Sequence, residues 1–309
     1  MSESEPNKKS TQSTAATPSD TGIMKDRSVA ACLSNAFDLY CSNFATIFRH
    51  SWLPALVFSM IGATGIMPEL ITPSPLLSAA VSACSILGIV AAGAWFDSSY
   101  ITLFNGMTRR ETMKRALCNR LMGLACEFAA FLAILIASAA IYAIALGQGD
   151  SKAQIAFIST AMMPTVAIVI VVMLCAILPL IYSTTSYITD AGTTMRMVFT
   201  SLYKRGWSNW GYLFGVTALT MLVLMVVFTI LAVPLIVLMA AIIINRDGIA
   251  LGDTDAMPPY TGVLLYAATS VVLFVFSYAS VWTFLTFFHA YGAIESRTKE
   301  RAESKDING

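Results

Sequence analysis

The sequence predicts an all-α membrane protein with six transmembrane helices. They form three hairpin repeats, each preceded by a basic interfacial amphipathic helix. Three observations carry this reading. Long runs almost free of charge recur six times, at 44–68, 75–104, 121–147, 153–189, 208–245 and 258–295. Seventeen of the nineteen Lys and Arg residues fall in four segments that alternate with pairs of those runs. Two of the helix ends resemble one another in sequence, and each leads into a basic segment.

Every run reaches the roughly 20 apolar residues needed to cross the hydrocarbon layer. With 57% hydrophobic and 12% charged residues, the chain departs from soluble domains, where about a quarter of residues are charged. Lipid offers no partner to open backbone groups, so each run is read as a helix. A barrel would require alternating strands of about ten residues, whereas these runs are continuously apolar.

The basic segments are the N-terminal region (Lys8, Lys9, Lys25, Arg27, Arg49), 109–120 (Arg109, Arg110, Lys114, Arg115, Arg120), 196–205 (Arg196, Lys204, Arg205) and the C-terminus (Arg297, Lys299, Arg301, Lys305). The other connections carry Lys152 and Arg246, with Glu69, Asp150, Asp247, Asp253 and Asp255. Lys and Arg in short loops set orientation, so both termini are expected in the cytoplasm.

Residues 1–23 read as a disordered polar tail, 24–296 as the membrane domain and 297–309 as a second polar tail. The start lacks the short apolar core of a signal peptide, so the first span is expected to act as an uncleaved insertion signal. Cys32, Cys41, Cys84, Cys118, Cys126 and Cys175 show no paired spacing and are expected to be reduced.

Ser98 to Thr102 reads Ser-Ser-Tyr-Ile-Thr, and Thr185 to Thr189 reads Thr-Ser-Tyr-Ile-Thr; Gly106 and Gly192 follow in turn. Amphipathic stripes accompany the basic segments: Val29, Leu33, Phe37 and Tyr40; Met113, Leu117 and Leu121; Met195, Phe199 and Leu202. These spacings suit helices lying in the membrane plane with their basic side on headgroups. The repeats are therefore drawn at 24–105, 106–190 and 192–296. Hairpin turns are expected at 68–75, 147–151 and 246–259, where Pro and Gly gather. The run at 208–245 exceeds the hydrocarbon thickness, yet it holds no polar turn. One long helix bent at Pro234 is favoured over two spans.

The segment Phe37-Asp-Leu-Tyr-Cys-Ser-Asn-Phe44, followed by long apolar hairpins, resembles bacterial integral membrane proteins related to the membrane domain of glycerophosphodiester phosphodiesterases. The likeness covers about 28–296. It implies a six-helix bacterial membrane module. It transfers no catalytic residue, because the catalytic barrel of that family has no counterpart here.

Few ionisable groups fall inside the runs. Arg49, His50, Asp97, Glu127 and His289 are expected at a similar depth near the cytoplasmic boundary, where ion pairs such as Arg49 with Asp97 would join helices. A polar pocket or a proton relay built on the same layer is the alternative use. Interior prolines (Pro54, Pro164, Pro179, Pro234) and glycines (Gly62, Gly65, Gly88, Gly93) are read as kinks and close packing rather than transporter hinges. Two histidines are too few for a zinc centre, and no hydrolase or phosphate-loop motif occurs. No cofactor is expected.

Arg109, Arg110, Lys114, Arg115, Lys204, Arg205, Trp207 and Trp210 are expected to contact lipid, preferentially anionic lipid. Basic residues that hug the membrane give no support to nucleic-acid binding. The leading functional reading is a non-enzymatic lipid-interacting or scaffolding module, with membrane-protein partners or a second copy as possible associates. A transporter for a small or lipidic solute is the alternative, and a lipid-modifying membrane enzyme is the third.

Overall fold

The computed structural model describes residues 27–66, 74–147, 151–251, 258 and 260–308. The predicted tail at 1–23 and most of the three hairpin turns lie outside them. Among the described residues the chain forms eight helices and no strand. They are α1 (Val29–Ile66), α2 (Pro75–Asn105), α3 (Arg109–Leu146), α4 (Ser151–Thr189), α5 (Met195–Val198), α6 (Ser201–Ser208), α7 (Trp210–Ala250) and α8 (Thr261–Asn308). Six of them, α1, α2, α3, α4, α7 and α8, are long and apolar enough to cross a membrane.

Local sequence sets the breaks. Pro75 opens α2 in the first helical turn, where its missing N–H costs nothing. Gly106 ends α2 in the left-handed region at φ 64°, a conformation that glycine adopts without steric penalty. Thr108 then caps α3 by accepting from the Glu111 N–H at 3.4 Å. After α4 Asp190 holds the turn, accepting from the Gly192 N–H at 2.9 Å.

One expectation is revised here. The first two amphipathic segments are not separate helices: Val29–Tyr40 forms the opening turns of α1, and Met113–Leu121 belongs to α3. No glycine or proline separates either stripe from the run that follows, so the helix continues. Only the third basic segment forms separate short helices, α5 and α6, ahead of Asn209 and α7. The polar segment after Ser296 continues α8 to Asn308. The long apolar run after Trp210 is a single helix with Pro234 inside it.

Helix α8 lies at the centre and packs on α1, α7 and α4, while α2 lies between α1 and α3, and α3 pairs with α4. The antiparallel register of α1 and α8 is marked by Tyr266 donating to the Met60 carbonyl at 3.0 Å and by Ser51 bonding the Tyr278 hydroxyl at 3.4 Å. Close approach relies on small residues. A Cβ on Gly88 would stand 2.9 Å from Ile61, and one on Gly65 would stand 3.1 Å from Ser85.

The core is concentrated toward the basic end. One cluster joins Ile47, Phe96, Tyr100, Ile101, Ile188 and Tyr278; a second joins Leu33, Ala36, Val216, Trp282 and Leu285; a third joins Tyr182, Leu202, Leu213 and Ile294. The opposite half of α7 presents Met225, Ile230, Val237 and Ile244 outward, the surface expected of a helix bathed in lipid.

Candidate functional site

Four clasps of polar side chains tie the helices together at the basic end. In the first, Asp97 on α2 is 6% exposed and receives both hydrogen bonds of a bidentate fork from Arg120 on α3. Nε donates to Oδ2 at 2.6 Å and Nη2 to Oδ1 at 2.9 Å. The Tyr100 hydroxyl adds a bond to Oδ1 at 3.2 Å. The Arg120 guanidinium lies 5.7 Å from the centre of the Phe58 ring. A fork of this kind is both stronger and more directional than a single charged bond.

The second clasp joins α3 to α4. Arg115 is buried and donates from Nη1 to the carbonyls of Tyr187 and Asp190 (2.5 and 2.8 Å) and from Nη2 to that of Ala191 (2.9 Å). Its Nε bonds Glu111 at 2.9 Å. The last carbonyls of a helix have no intrahelical partner, and a cation there also suits the helix dipole. Arg115 therefore closes the end of α4.

In the third, Glu295 on α8 accepts from Arg205 Nη1 on α6 at 2.7 Å and from the Tyr182 hydroxyl on α4. Burial disfavours the charge on Arg205, but the bond and charge of Glu295 outweigh this and raise its pKa above the usual guanidinium value. The fourth binds the chain start to α7 and α8. Arg27 Nη1 donates to His289 Nδ1 at 3.2 Å, while the Arg27 carbonyl accepts from Tyr212 at 3.2 Å and from Arg297 at 3.0 Å. Arginine has only donors, so Nδ1 is the acceptor and the imidazole proton sits on Nε2.

The expected single polar layer is not formed. Arg49 does not pair with Asp97. It is exposed on α1, as is His50, whose Nδ1 donates to the Thr46 carbonyl at 2.8 Å. Asp97 instead meets the α3 residue that the hairpin carries past it. His289 belongs to the clasp at the chain start, and Glu127 is exposed on α3. Sequence reasoning missed Arg120, Tyr182 and Glu295 as partners.

The set of expected lipid contacts also divides. Arg109, Arg110, Lys114 and Lys204 are exposed, as is Arg196, and none of them forms an ion pair among the described residues. Trp207 is exposed and stacks on Tyr203. Arg115 is withdrawn from the rim, because its guanidinium is occupied by α4 carbonyls, and Arg205 is half-buried against Glu295. Trp210 faces the protein, donating from Nε1 to the Cys175 carbonyl at 3.3 Å.

Comparison with protein-family models, curated proteins and solved structures gives no match. Among the described residues no group of three or more His, Cys, Asp or Glu could hold a metal ion. At the basic end the ionisable groups divide into buried ions paired within the bundle and exposed cations with no ion pair among the described residues.

Proposed function

We propose that the chain is a non-enzymatic module of a bacterial cytoplasmic membrane, with both termini in the cytoplasm, that gathers anionic lipid headgroups along its basic rim and scaffolds a membrane-bound assembly. One observation carries this reading: the ionisable groups inside the bundle are matched to one another, whereas Arg109, Arg110, Lys114, Arg196 and Lys204 stand exposed and unpaired among the described residues. Each cation beside an anionic surface contributes about 1 kcal/mol. Trp207, stacked on Tyr203 next to Lys204, supplies the amphipathic anchor such a surface favours.

The likeness of the two helix ends, Ser98 to Thr102 and Thr185 to Thr189, each followed by a glycine, supports the repeat reading as well. The resemblance at Phe37–Phe44 points to the same class of module. Asp97, the buried carboxylate on which a transport reading would draw, has both oxygens held by Arg120, which favours the scaffold.

The test is a lipid inventory after detergent-free extraction of wild type and of an Arg109→Gln/Arg110→Gln/Lys114→Gln variant. Enrichment of anionic lipid in wild type and its loss in the variant are expected. Equal recovery of anionic and zwitterionic lipid by wild type would overturn the reading.

A further inference from the structure

We propose that the outward stripe of α3 seats a lipid diphosphate, a lipid whose headgroup carries two phosphates in series. The terminal phosphate lies on Arg109 and Arg110, the inner one on Lys114, and the tail runs along Leu117, Leu121 and Phe128. Toward the basic end of α3 the buried residues are Thr112, Arg115, Ala116 and Met122. Arg110, Lys114, Leu117, Leu121 and Phe128 recur at steps of three, four and seven and are all exposed, so they share the opposite face. Read from the basic end, that face carries two cations and then three apolar side chains. A lipid of the adjoining leaflet presents its phosphates and its hydrocarbon in the same order.

The fold gives these cations nothing to do. The side chains of Arg109, Arg110 and Lys114 form no hydrogen bond or ion pair among the described residues. Arg110 and Lys114 are like charges one turn apart, an arrangement that disfavours a helix. All three stand at the end of α3 where the helix dipole is already positive. Glu111, the acid of that turn, is bonded to Arg115 Nε at 2.9 Å. Repulsion that is not relieved inside the protein points to an anion outside it.

Charge and direction select the headgroup. Near pH 7 a terminal phosphate carries about two negative charges, and the inner phosphate of a diphosphate ester adds one, against the three cations. A single phosphodiester neutralises one cation and leaves its neighbour repelled. Arg110 and Lys114 are separated by four residues, about 6 Å along the axis of a helix that crosses the membrane. Phosphates side by side at one depth do not follow that direction, whereas phosphates in series do. Because the two are joined, the second binds at an effective concentration set by the first. The apolar continuation of the stripe selects a lipid over a soluble diphosphate. Glu127 does not obstruct the tail, since it lies about 100° round the helix from Phe128. This inference rests on the lipid-contact reading above and adds the class of headgroup.

The experiment places the full chain in phosphatidylcholine nanodiscs containing a minor fraction of phosphatidylglycerol, with farnesyl diphosphate or farnesyl monophosphate as the probe. Native mass spectrometry reads the retained lipid. A second charge-assisted contact at an exposed site predicts about three- to tenfold preference for the diphosphate by wild type. Arg110→Gln and Lys114→Gln should each lower retention of the diphosphate to the monophosphate level. Lys204→Gln, at an exposed cation outside the stripe, should leave the preference intact, and all three variants should melt with wild type. Equal retention of the two probes by wild type would overturn the proposal, as would full preference in both stripe variants. Inorganic pyrophosphate lacks the tail and should fail to displace the probe at equal concentration; displacement would overturn the assignment to a lipid. Retention of phosphatidylglycerol over phosphatidylcholine reads the basic rim in the same sample. Where that persists without a preference for the diphosphate, this inference fails and the lipid-contact reading stands; where both are absent, both fail.

Discussion

Arg120 reaches Asp97 by passing over Gly93. A Cβ at position 93 would stand 3.3 Å from the guanidinium carbon, 3.3 Å from Nε and 3.3 Å from the Phe58 ring. That separation is tighter than ordinary van der Waals contact, and the obstructed atoms are those that form the fork. Gly93→Val should therefore displace Arg120 and destabilise the bundle by about 1–3 kcal/mol, the usual scale of overpacking. Thermal unfolding in nanodiscs measures this, and an unchanged transition would refute the role assigned to Gly93.

The Asp97–Arg120 pair itself makes a prediction about order of importance. Arg120→Ala leaves a buried carboxylate without its cation, a change that costs about 3–5 kcal/mol in a fully buried pair. Because Arg120 is one-third exposed, solvent reduces this, and a loss of about 1–3 kcal/mol is expected. Arg49→Ala, at an exposed position, should stay within about 0.5 kcal/mol of wild type. Partial recovery in Asp97→Arg/Arg120→Asp would establish the coupling, while equal loss from Arg49→Ala and Arg120→Ala would contradict it.

This pair was within reach of the sequence. Antiparallel helices joined by a short turn bring together residues equidistant from that turn. Asp97 lies eleven positions before Thr108, and Arg120 lies twelve after. Depth alone, by contrast, favours Arg49, because depth ignores which helix faces which. The six spans were legible for a simpler reason: apolar run length is a property of each segment by itself. The Tyr182–Glu295–Arg205 clasp was not legible, since it unites helices far apart in sequence and depends on how α8 crosses α4. The continuity of α1 across Tyr40 was visible in the absence of any breaker between Tyr40 and Phe44, but amphipathic periodicity suggested a separate helix.

A second close contact fixes α6 against α4. A Cβ on Gly206 would lie 2.8 Å from the Pro179 carbonyl oxygen and 2.9 Å from its Cα. Those are backbone atoms within a helix, so neither can swing aside. On an open helix Gly→Ala stabilises by up to about 1 kcal/mol through propensity. Here Gly206→Ala should instead lower the melting temperature and expose Leu202 and Leu213, which is measurable as faster hydrogen exchange over 200–214. A stabilised variant would show that α6 is free to move away from α4.

Arg115 supports the end of α4 with three carbonyl bonds, and its removal should act locally. Arg115→Met retains most of the apolar stem but removes the charged donor from the carbonyls of Tyr187, Asp190 and Ala191, of which Asp190 keeps the bonds from Thr193. Each lost charged bond contributes about 1.5–3 kcal/mol, moderated by water entering at this end of the bundle. Exchange protection should fall over 186–193 while the outer half of α4 keeps its native rate. Uniform loss across α4 would mean that Arg115 supports the whole hairpin rather than its end.

Orientation is the prediction that bears most directly on function, because the basic rim can meet anionic lipid of the cytoplasmic leaflet only if it faces inward. Arg110 and Tyr260 lie at opposite ends of the spans, and both are exposed. With Cys41 replaced by Ser, Arg110→Cys should react with a membrane-impermeant thiol reagent in inverted vesicles and resist it in right-side-out ones, while Tyr260→Cys should do the reverse. Exposed native Cys41 should follow the Arg110 pattern, since α1 enters from the basic end. The opposite labelling would place Arg109, Arg110, Lys114 and Lys204 on the outer face, against the bias that positive charge imposes on insertion, and would remove the anionic leaflet from the proposed mechanism.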